Sequence, residues 1–198
     1  MLLRKAVIFY GLPGSGKGTQ AKLLEQNFQC STIATGEIIR EKIRNDPSFA
    51  KLHSEVNNGH FVDNSTVFRL VFDRLKEPFY EKASLLVFDG VPRTIEQAKK
   101  LIPYLLERRE VHTVFLDHMT PYMSRERARK RREEALAAHM PLRSDDKEKK
   151  VDTRLALYDF HHPTLLQYLE THTKLLKLHV LKSPQHVFED VKKVIFKV

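Results

Sequence analysis

The sequence predicts an α/β chain: three layers, with helices on both faces of a central parallel sheet of about five strands. Two observations carry that expectation. Short β-branched or aromatic runs alternate with stretches of helical periodicity along the 198 residues, the order a parallel sheet with crossover helices requires. The first such run, Lys5 to Tyr10, passes through a glycine-rich turn directly into a helical pattern, the arrangement that presents backbone N–H groups to an anion.

Each element has its own signal. Lys5 to Tyr10 reads as a buried strand because its apolar residues end at Gly11. The helix after Gly16 has Ala21, Leu23, Leu24 and Phe28 as its apolar face. A second helical pattern starts after Thr35-Gly36 and stops at Asn45-Asp46-Pro47. Another begins there, with Asp46 as cap and Pro47 in the first turn, and ends at Asn58-Gly59. Ser65 is the expected cap of the next helix, with Val67, Leu70, Val71 and Leu75 at helical spacing.

Leu85 to Phe88 is a second strand, ending at Asp89-Gly90. Thr94 and Gln97 have the spacing of a capping box, with Pro103 expected to bend or break the helix that follows. Thr113 to Leu116 is a third strand. A charged helix is expected from Pro121 to about Ala138, and another over much of 146–170 with an interruption near Pro163. Leu178 to Leu181 is the last strand read, and Ser183-Pro184 opens a final helix through Val187, Val191 and Val194.

Composition limits the function classes. The longest apolar run is too short to span a bilayer, so no membrane partner is expected. The apolar stretch after Arg4-Lys5 meets the glycine loop without a small-residue cleavage site, which argues against a signal peptide. One cysteine, Cys30, supports neither an internal disulfide nor a cysteine-built zinc site, and a cytoplasmic location follows as the expectation. The net charge is +9. Between Pro121 and Arg154, eleven Lys/Arg face seven Asp/Glu, which suits phosphorylated small molecules or simply a solvated helix face.

Gly11-Leu12-Pro13-Gly14-Ser15-Gly16-Lys17-Gly18-Thr19 has the form of a phosphate loop. Gly14, Ser15, Gly16, Gly18 and Thr19 would offer backbone N–H groups to a triphosphate, and Lys17 a full charge at its β- and γ-phosphates. The hydroxyl residue that usually follows the lysine and binds magnesium is replaced by Gly18, with Thr19 one place later, which weakens a GTPase or motor ATPase reading. Asp89 ends a buried strand near the loop. There it would hold Mg2+ directly or through water, or else serve as a turn aspartate.

The loop through Gln20 resembles the signature of adenylate kinases and their nucleoside-monophosphate kinase relatives. Three further segments in order share the resemblance: Thr35-Gly36-Glu37-Ile38-Ile39-Arg40, Phe88-Asp89-Gly90-Val91-Pro92-Arg93 with Gln97, and Arg143-Ser144-Asp145-Asp146 with Arg154. It implies reversible transfer of a phosphoryl group from ATP to AMP with Mg2+, giving two ADP. It places Arg40 and Arg93 on the acceptor phosphate, and sets Arg143 and Arg154 across the transferred group. Thr35 and Gln97 would meet the acceptor base, with Val62 and Gly90 in the same pocket. Arginine suits these tasks because its fork bonds phosphate oxygens in pairs and keeps its charge. Asp145 and Asp146 would join the nucleotide network or cap the next helix.

The same resemblance implies one domain over 1–198, with a core of 1–30, 60–124 and 151–198. A monophosphate-binding helical segment spans 31–59 and a short lid spans 125–150, without zinc. Five arginines crowd the lid's first helix. Arg127 and Arg131, four apart on one face, are the expected ATP contacts. Asp63 and Val91 depart from the family's common proline and aromatic residue without removing a charged ligand. A monomer with no nucleic-acid partner is expected. The nearest rival is a kinase for UMP, CMP or another monophosphate. A rival of another class is a nucleic-acid-binding protein with a vestigial nucleotide site.

Overall fold

Six residues, Lys5–Tyr10, form strand β1, and the four central ones are at most 2 % exposed. In the computed structural model, which describes residues 4–49, 52, 60, 62–140, 142 and 146–196, this strand is the middle of the sheet. The chain continues through α1 (Lys17–Asn27), β2 (Ser31–Ala34), α2 (Thr35–Asn45) and a single 3-10 turn at Pro47–Phe49. Then come α3 (Asn64–Lys76), the short α4 (Pro78–Glu81), β3 (Leu85–Asp89), α5 (Ile95–Leu106) and β4 (Glu110–Asp117). The chain ends with α6 (Pro121–Ala137), α7 (Glu148–His172), β5 (Lys174–His179) and α8 (Pro184–Phe196).

The sheet order is β2-β3-β1-β4-β5 and every pairing is parallel. A parallel sheet covered on both faces needs apolar side chains on both sides of its strands, and β1 supplies them by alternation. Ala6, Ile8 and Tyr10 pack with residues of α3, α5 and α7, while Val7 and Phe9 pack with residues of α1 and α8. Because all strands run the same way, Tyr10, Ala34, Asp89, Asp117 and His179 end on one side, where ligands of open α/β sheets collect.

Several expectations are corrected. Strand β2 has no counterpart in the sequence reading, because a four-residue edge strand with two hydroxyl side chains, Ser31 and Thr32, carries too little hydrophobic pattern. The last strand is Lys174–His179 rather than 178–181. It is an edge strand with an exposed or half-exposed pattern, so its apolar signal is weak, and Val180 lies just past it with its N–H on the Asp117 carbonyl at 3.2 Å. Neither Pro103 nor Pro163 breaks its helix. Each removes one backbone hydrogen bond, but Leu101, Ile102 and Leu105 around the first, and Leu165 and Leu169 beyond the second, are pinned in the core at 1 % exposure or less.

The cap of α3 is Asp63, whose carboxylate accepts from the Thr66 N–H at 2.9 Å. Ser65 also donates its hydroxyl to that carboxylate instead of capping. These bonds hold the Asp63 pKa down to about 2. In α8 the buried residue of the last turn is Ile195, with Val194 only partly covered. The helix expected from Asp46 to Gly59 lies mostly outside the described residues. Asp46 does accept from the Ser48 N–H at 3.0 Å and from its hydroxyl at 2.6 Å.

Candidate active site

In the loop between β1 and α1 the Ser15 N–H donates to the Leu12 carbonyl at 3.1 Å, and the start of α1 is left without a side-chain cap. Gly16 caps α1 at φ +100, a left-handed conformation that L side chains adopt only under strain, and no side chain takes the helix's first N–H groups. Those donors and the positive end of the helix dipole face the cleft. Lys17 folds back onto the loop, donating to the carbonyls of Gly11 and Leu12 at 2.8 Å each and to the Ser15 hydroxyl at 3.4 Å. Its pKa is lowered to about 8, chiefly by the enclosure of its ammonium. Asp89 opposes that shift, while Arg154, Arg93 and Arg131 add repulsion.

One cleft gathers Lys17, Gly90, Arg93 and Arg154. They arrive from α1, the turn after β3 and the second turn of α7, so the sheet topology does the gathering. A concentration of cations around an enclosed lysine suits a polyanion, which would supply charge-assisted hydrogen bonds. Tyr10 and Tyr158 form part of the same wall. Tyr10 shares a hydrogen bond with His162 Nδ1 at 2.9 Å and stacks on both Tyr158 and His162. Sequence reasoning missed these three. The signal was present, since Arg154, Tyr158 and His162 recur every four residues and share a face of one helix.

Asp89 stands where β3 ends, and its Oδ2 would lie 3.1 Å from a Cβ at position 18. Gly18 therefore makes room for that carboxylate. A lone carboxylate beside a phosphate loop fits the usual Mg2+ arrangement, in which one or two carboxylates and the substrate phosphates share the ion. Among the described residues no group of three or more His, Cys, Asp or Glu is arranged to hold a metal. None of the described helices is long and apolar enough to cross a membrane.

Of the residues expected on the acceptor side, Thr35 and Arg93 meet Gly90 at the turn after β3. Gly90, at φ +85, has no space for a side chain: a Cβ would lie 2.7 Å from the Thr35 hydroxyl and 2.9 Å from Arg93 Nη2. Thr35, 5 % exposed, donates that hydroxyl to the Gly90 carbonyl at 2.9 Å. The Arg40 guanidinium lies over Gly36, one turn back on α2. Val62 is 6 % exposed and belongs to the core beside α3. Gln97 is 2 % exposed, accepts from the Arg93 N–H at 2.7 Å and donates to Asn64 at 2.9 Å. Its backbone N–H completes half of the expected capping box by donating to the Thr94 hydroxyl at 3.2 Å.

The two arginines expected to contact ATP are engaged with the protein. Arg127 donates to the carbonyls of Gly14 and Val180, both at 3.0 Å. Arg131 forms a two-point pair with Asp146 at 2.6 and 3.2 Å. Asp146, 5 % exposed, is thus the counter-ion of Arg131, while Lys147 holds the cap position of α7 without a side-chain cap bond. Ser124, 1 % exposed, donates to the Pro13 carbonyl and ties α6 to the phosphate loop. Thr19 is exposed in the first turn of α1. Arg143 and Asp145 lie outside the described residues.

Comparison with known proteins agrees with this geometry. The family described as Adenylate kinase matches residues 9–174. A protein named Adenylate kinase from Tropheryma whipplei is 32 % identical over 192 residues, covering 96 % of this chain and 97 % of its own length. One of the same name from Bacteroides fragilis is 29 % identical over 199 residues, with 96 % and 97 % covered. Adenylate kinase 2 of Schistosoma mansoni is 30 % identical over 213 residues, with 96 % and 88 % covered.

Proposed function

The chain belongs to the adenylate kinase family, and from that premise we propose how its residues divide the reaction. The protein is a nucleoside-monophosphate kinase that moves the γ-phosphoryl group of ATP to AMP, giving two ADP. The observation that carries the assignment of roles is the meeting of Lys17, Arg93 and Arg154 in one cleft at the loop. Transfer between two phosphorylated nucleotides brings about six negative charges together and needs alignment and neutralisation more than a protein base, because the acceptor oxygen is already ionised.

In this reading, the N–H groups of Gly14 to Thr19 and the ammonium of Lys17 hold the donor phosphates. The lysine exchanges the Gly11 and Leu12 carbonyls for phosphate oxygens. Arg93 and Arg40 hold the acceptor phosphate, and Arg154, joined by Arg143, bridges the transferred group from the lid side. Arg127 and Arg131 reach the ATP only by leaving the Gly14 and Val180 carbonyls and Asp146. Thr35, Val62, Gly90 and Gln97 form the AMP pocket. Mg2+, held by Asp89 directly or through water, supplies charge neutralisation at the donor phosphates.

The working division keeps a core of 1–30, 60–124 and 151–198, a lid of 125–150 without zinc, and an acceptor segment of 31–59 whose first four residues are the edge strand β2. We place the protein in the cytoplasm as a monomer acting on free nucleotides.

The test is ADP formation by the pure protein from Mg-ATP with AMP, UMP, CMP, GMP or dTMP in turn. A preference for AMP of about a hundredfold or more is expected from a pocket that hydrogen-bonds its base. Preference for another monophosphate would keep the phosphate chemistry and discard the roles of Thr35 and Gln97.

A further inference from the structure

The side chain of Gln97 is held at both ends before any base arrives. The Arg93 N–H donates to Oε1 at 2.7 Å, and Nε2 donates to Oδ1 of Asn64 at 2.9 Å. That Asn64 oxygen takes a second bond, from the Thr94 hydroxyl at 3.1 Å, and the Thr94 hydroxyl itself accepts from the Gln97 N–H at 3.2 Å. The directions follow from the donors. A backbone N–H only donates, so the Gln97 atom facing Arg93 is its oxygen and the atom facing Asn64 is its nitrogen. Because that Gln97 atom is a nitrogen, the Asn64 atom facing it is an oxygen, and the Thr94 hydroxyl lies within hydrogen-bond distance of the same oxygen.

Asn64 comes from elsewhere in the fold. It is the first residue of α3, just after the capping Asp63, and it reaches the first turn of α5 thirty residues further along the chain. Its own helix does not need the side chain, since Asp63 takes the Thr66 N–H that a cap must satisfy.

We propose that Asn64 is a positioning residue for base selection: by holding Nε2 it determines which end of the Gln97 amide donates and which accepts toward the acceptor base. This rests on the reading above that Gln97 meets that base. The amide has two lone pairs and two hydrogens, and the contacts with Arg93 and Asn64 use one of each. The remaining lone pair and hydrogen form an acceptor beside a donor. They match the 6-amino donor and N1 acceptor of adenine.

A 6-oxopurine inverts that edge, with an acceptor at position 6 and an N–H donor at position 1. Reading it requires the Gln97 amide to turn over. Its oxygen would then face the Asn64 oxygen, and its NH2 would face the Arg93 N–H, leaving four polar atoms opposed in a site that is 2 % exposed at Gln97. Without Asn64, only the Arg93 N–H resists the turn.

The experiment measures kcat and KM for AMP and for IMP at saturating Mg-ATP in the wild type and in Asn64→Ala, Asn64→Ser, Asn64→Asp and Gln97→Ala. IMP has the sugar, phosphate and ring skeleton of AMP and differs in the inverted edge. Asn64→Ala and Asn64→Ser are expected to raise KM for AMP about tenfold with kcat changed by less than about twofold and IMP unaffected or improved, so that the AMP-to-IMP ratio of kcat/KM falls roughly tenfold or more. Asn64→Asp keeps an acceptor for both Gln97 and Thr94 and is expected to hold that ratio within about threefold of wild type.

The serine variant keeps a residue favoured at a helix start, so the test stands if the alanine variant does not fold. Equal losses on AMP and IMP, an unchanged ratio in folded Asn64→Ser, or an equal fall in Asn64→Asp overturns the role of Asn64 while Gln97→Ala still lowers the ratio. An unchanged ratio in Gln97→Ala removes the base reading itself, and the role of Asn64 with it.

Discussion

Lys17 of the phosphate loop makes its hydrogen bonds within six residues, whereas the arginines expected to act with it come from four separate parts of the chain. Lys17 is satisfied by Gly11, Leu12 and Ser15, all within six residues of it. Arg40 comes from α2, Arg93 from the turn after β3, Arg127 and Arg131 from α6, and Arg154 from α7. Arg127 and Arg131 are held by acceptors far away in sequence or on another element, Val180 and Asp146 among them. The loop is thus a preorganised half-site whose geometry costs little to present. On the arginine side, Arg127 and Arg131 are engaged with protein partners that a nucleotide would have to displace. Preorganised groups account for most electrostatic catalysis, so the loop's lysine and the cleft arginines carry the largest expected effects, and Arg127 and Arg131 smaller ones.

The strongest way to break this contrast is Lys17→Ala. Removing the loop's single full charge should lower kcat by about a thousandfold, the scale of a lost charge-stabilising group at a phosphoryl transfer site. The thermal midpoint should scarcely move, because the enclosure of the ammonium is already unfavourable enough to hold its pKa down to about 8. A kcat within a few-fold of wild type would remove Lys17 from the mechanism.

Next come Arg93→Lys and Arg154→Lys. Each keeps the charge and loses the planar fork, so each should cost about a hundredfold in kcat/KM if two-point contacts with phosphate are what matter. Full activity in either lysine variant would mean that charge alone suffices on that side. Gly18→Ala tests the seam between the two regions. Its new methyl would stand 3.1 Å from Asp89 Oδ2, so the carboxylate must shift. The Mg2+ concentration for half-maximal activity should rise by roughly tenfold. An unaltered Mg2+ titration would separate Asp89 from the ion.

The smallest effect concerns the tie between the regions, the Tyr10–His162 hydrogen bond from the end of β1 to the helix carrying Arg154. Tyr10→Phe should cost about 1 kcal/mol of stability, read from denaturant unfolding. The bond also predicts a pH dependence. Burial lowers the His162 pKa below its ordinary 6.5, with Asp117 and Asp159 opposing. The unfolded chain therefore takes up this proton before the folded protein does. The contribution of His162 is complete above pH 6.5 and shrinks as pH falls from there toward the lowered folded value. His162→Gln should flatten that part of the stability profile, and an unchanged slope would assign it to His112, whose buried ring is shifted in the same direction by burial.

How much of this was legible in the sequence depends on the range of each interaction. The phosphate loop was fully readable, because a strand, a turn and a helix start within fifteen residues dictate where its N–H groups point. Asp89 was legible as the end of an apolar run, and Thr94–Gln97 as a cap, for the same local reason. The uninterrupted helices through Pro103 and Pro163 were not, because the core residues on either side outweigh a single lost backbone bond.

By itself, the sequence determined the α/β order, the phosphate loop, the chain of basic residues available for nucleotide and the family. All of these reside in local pattern or in the order of motifs. Only the tertiary structure decided that β2 joins the sheet, that β5 begins at Lys174, that Asp146 answers Arg131, and that Asn64 and Arg93 hold Gln97 from either side. Side-chain hydrogen bonds between residues thirty apart leave no periodic trace in a sequence. They exist only because the parallel sheet brings the carboxyl ends of its strands, and the helices that follow them, to one edge.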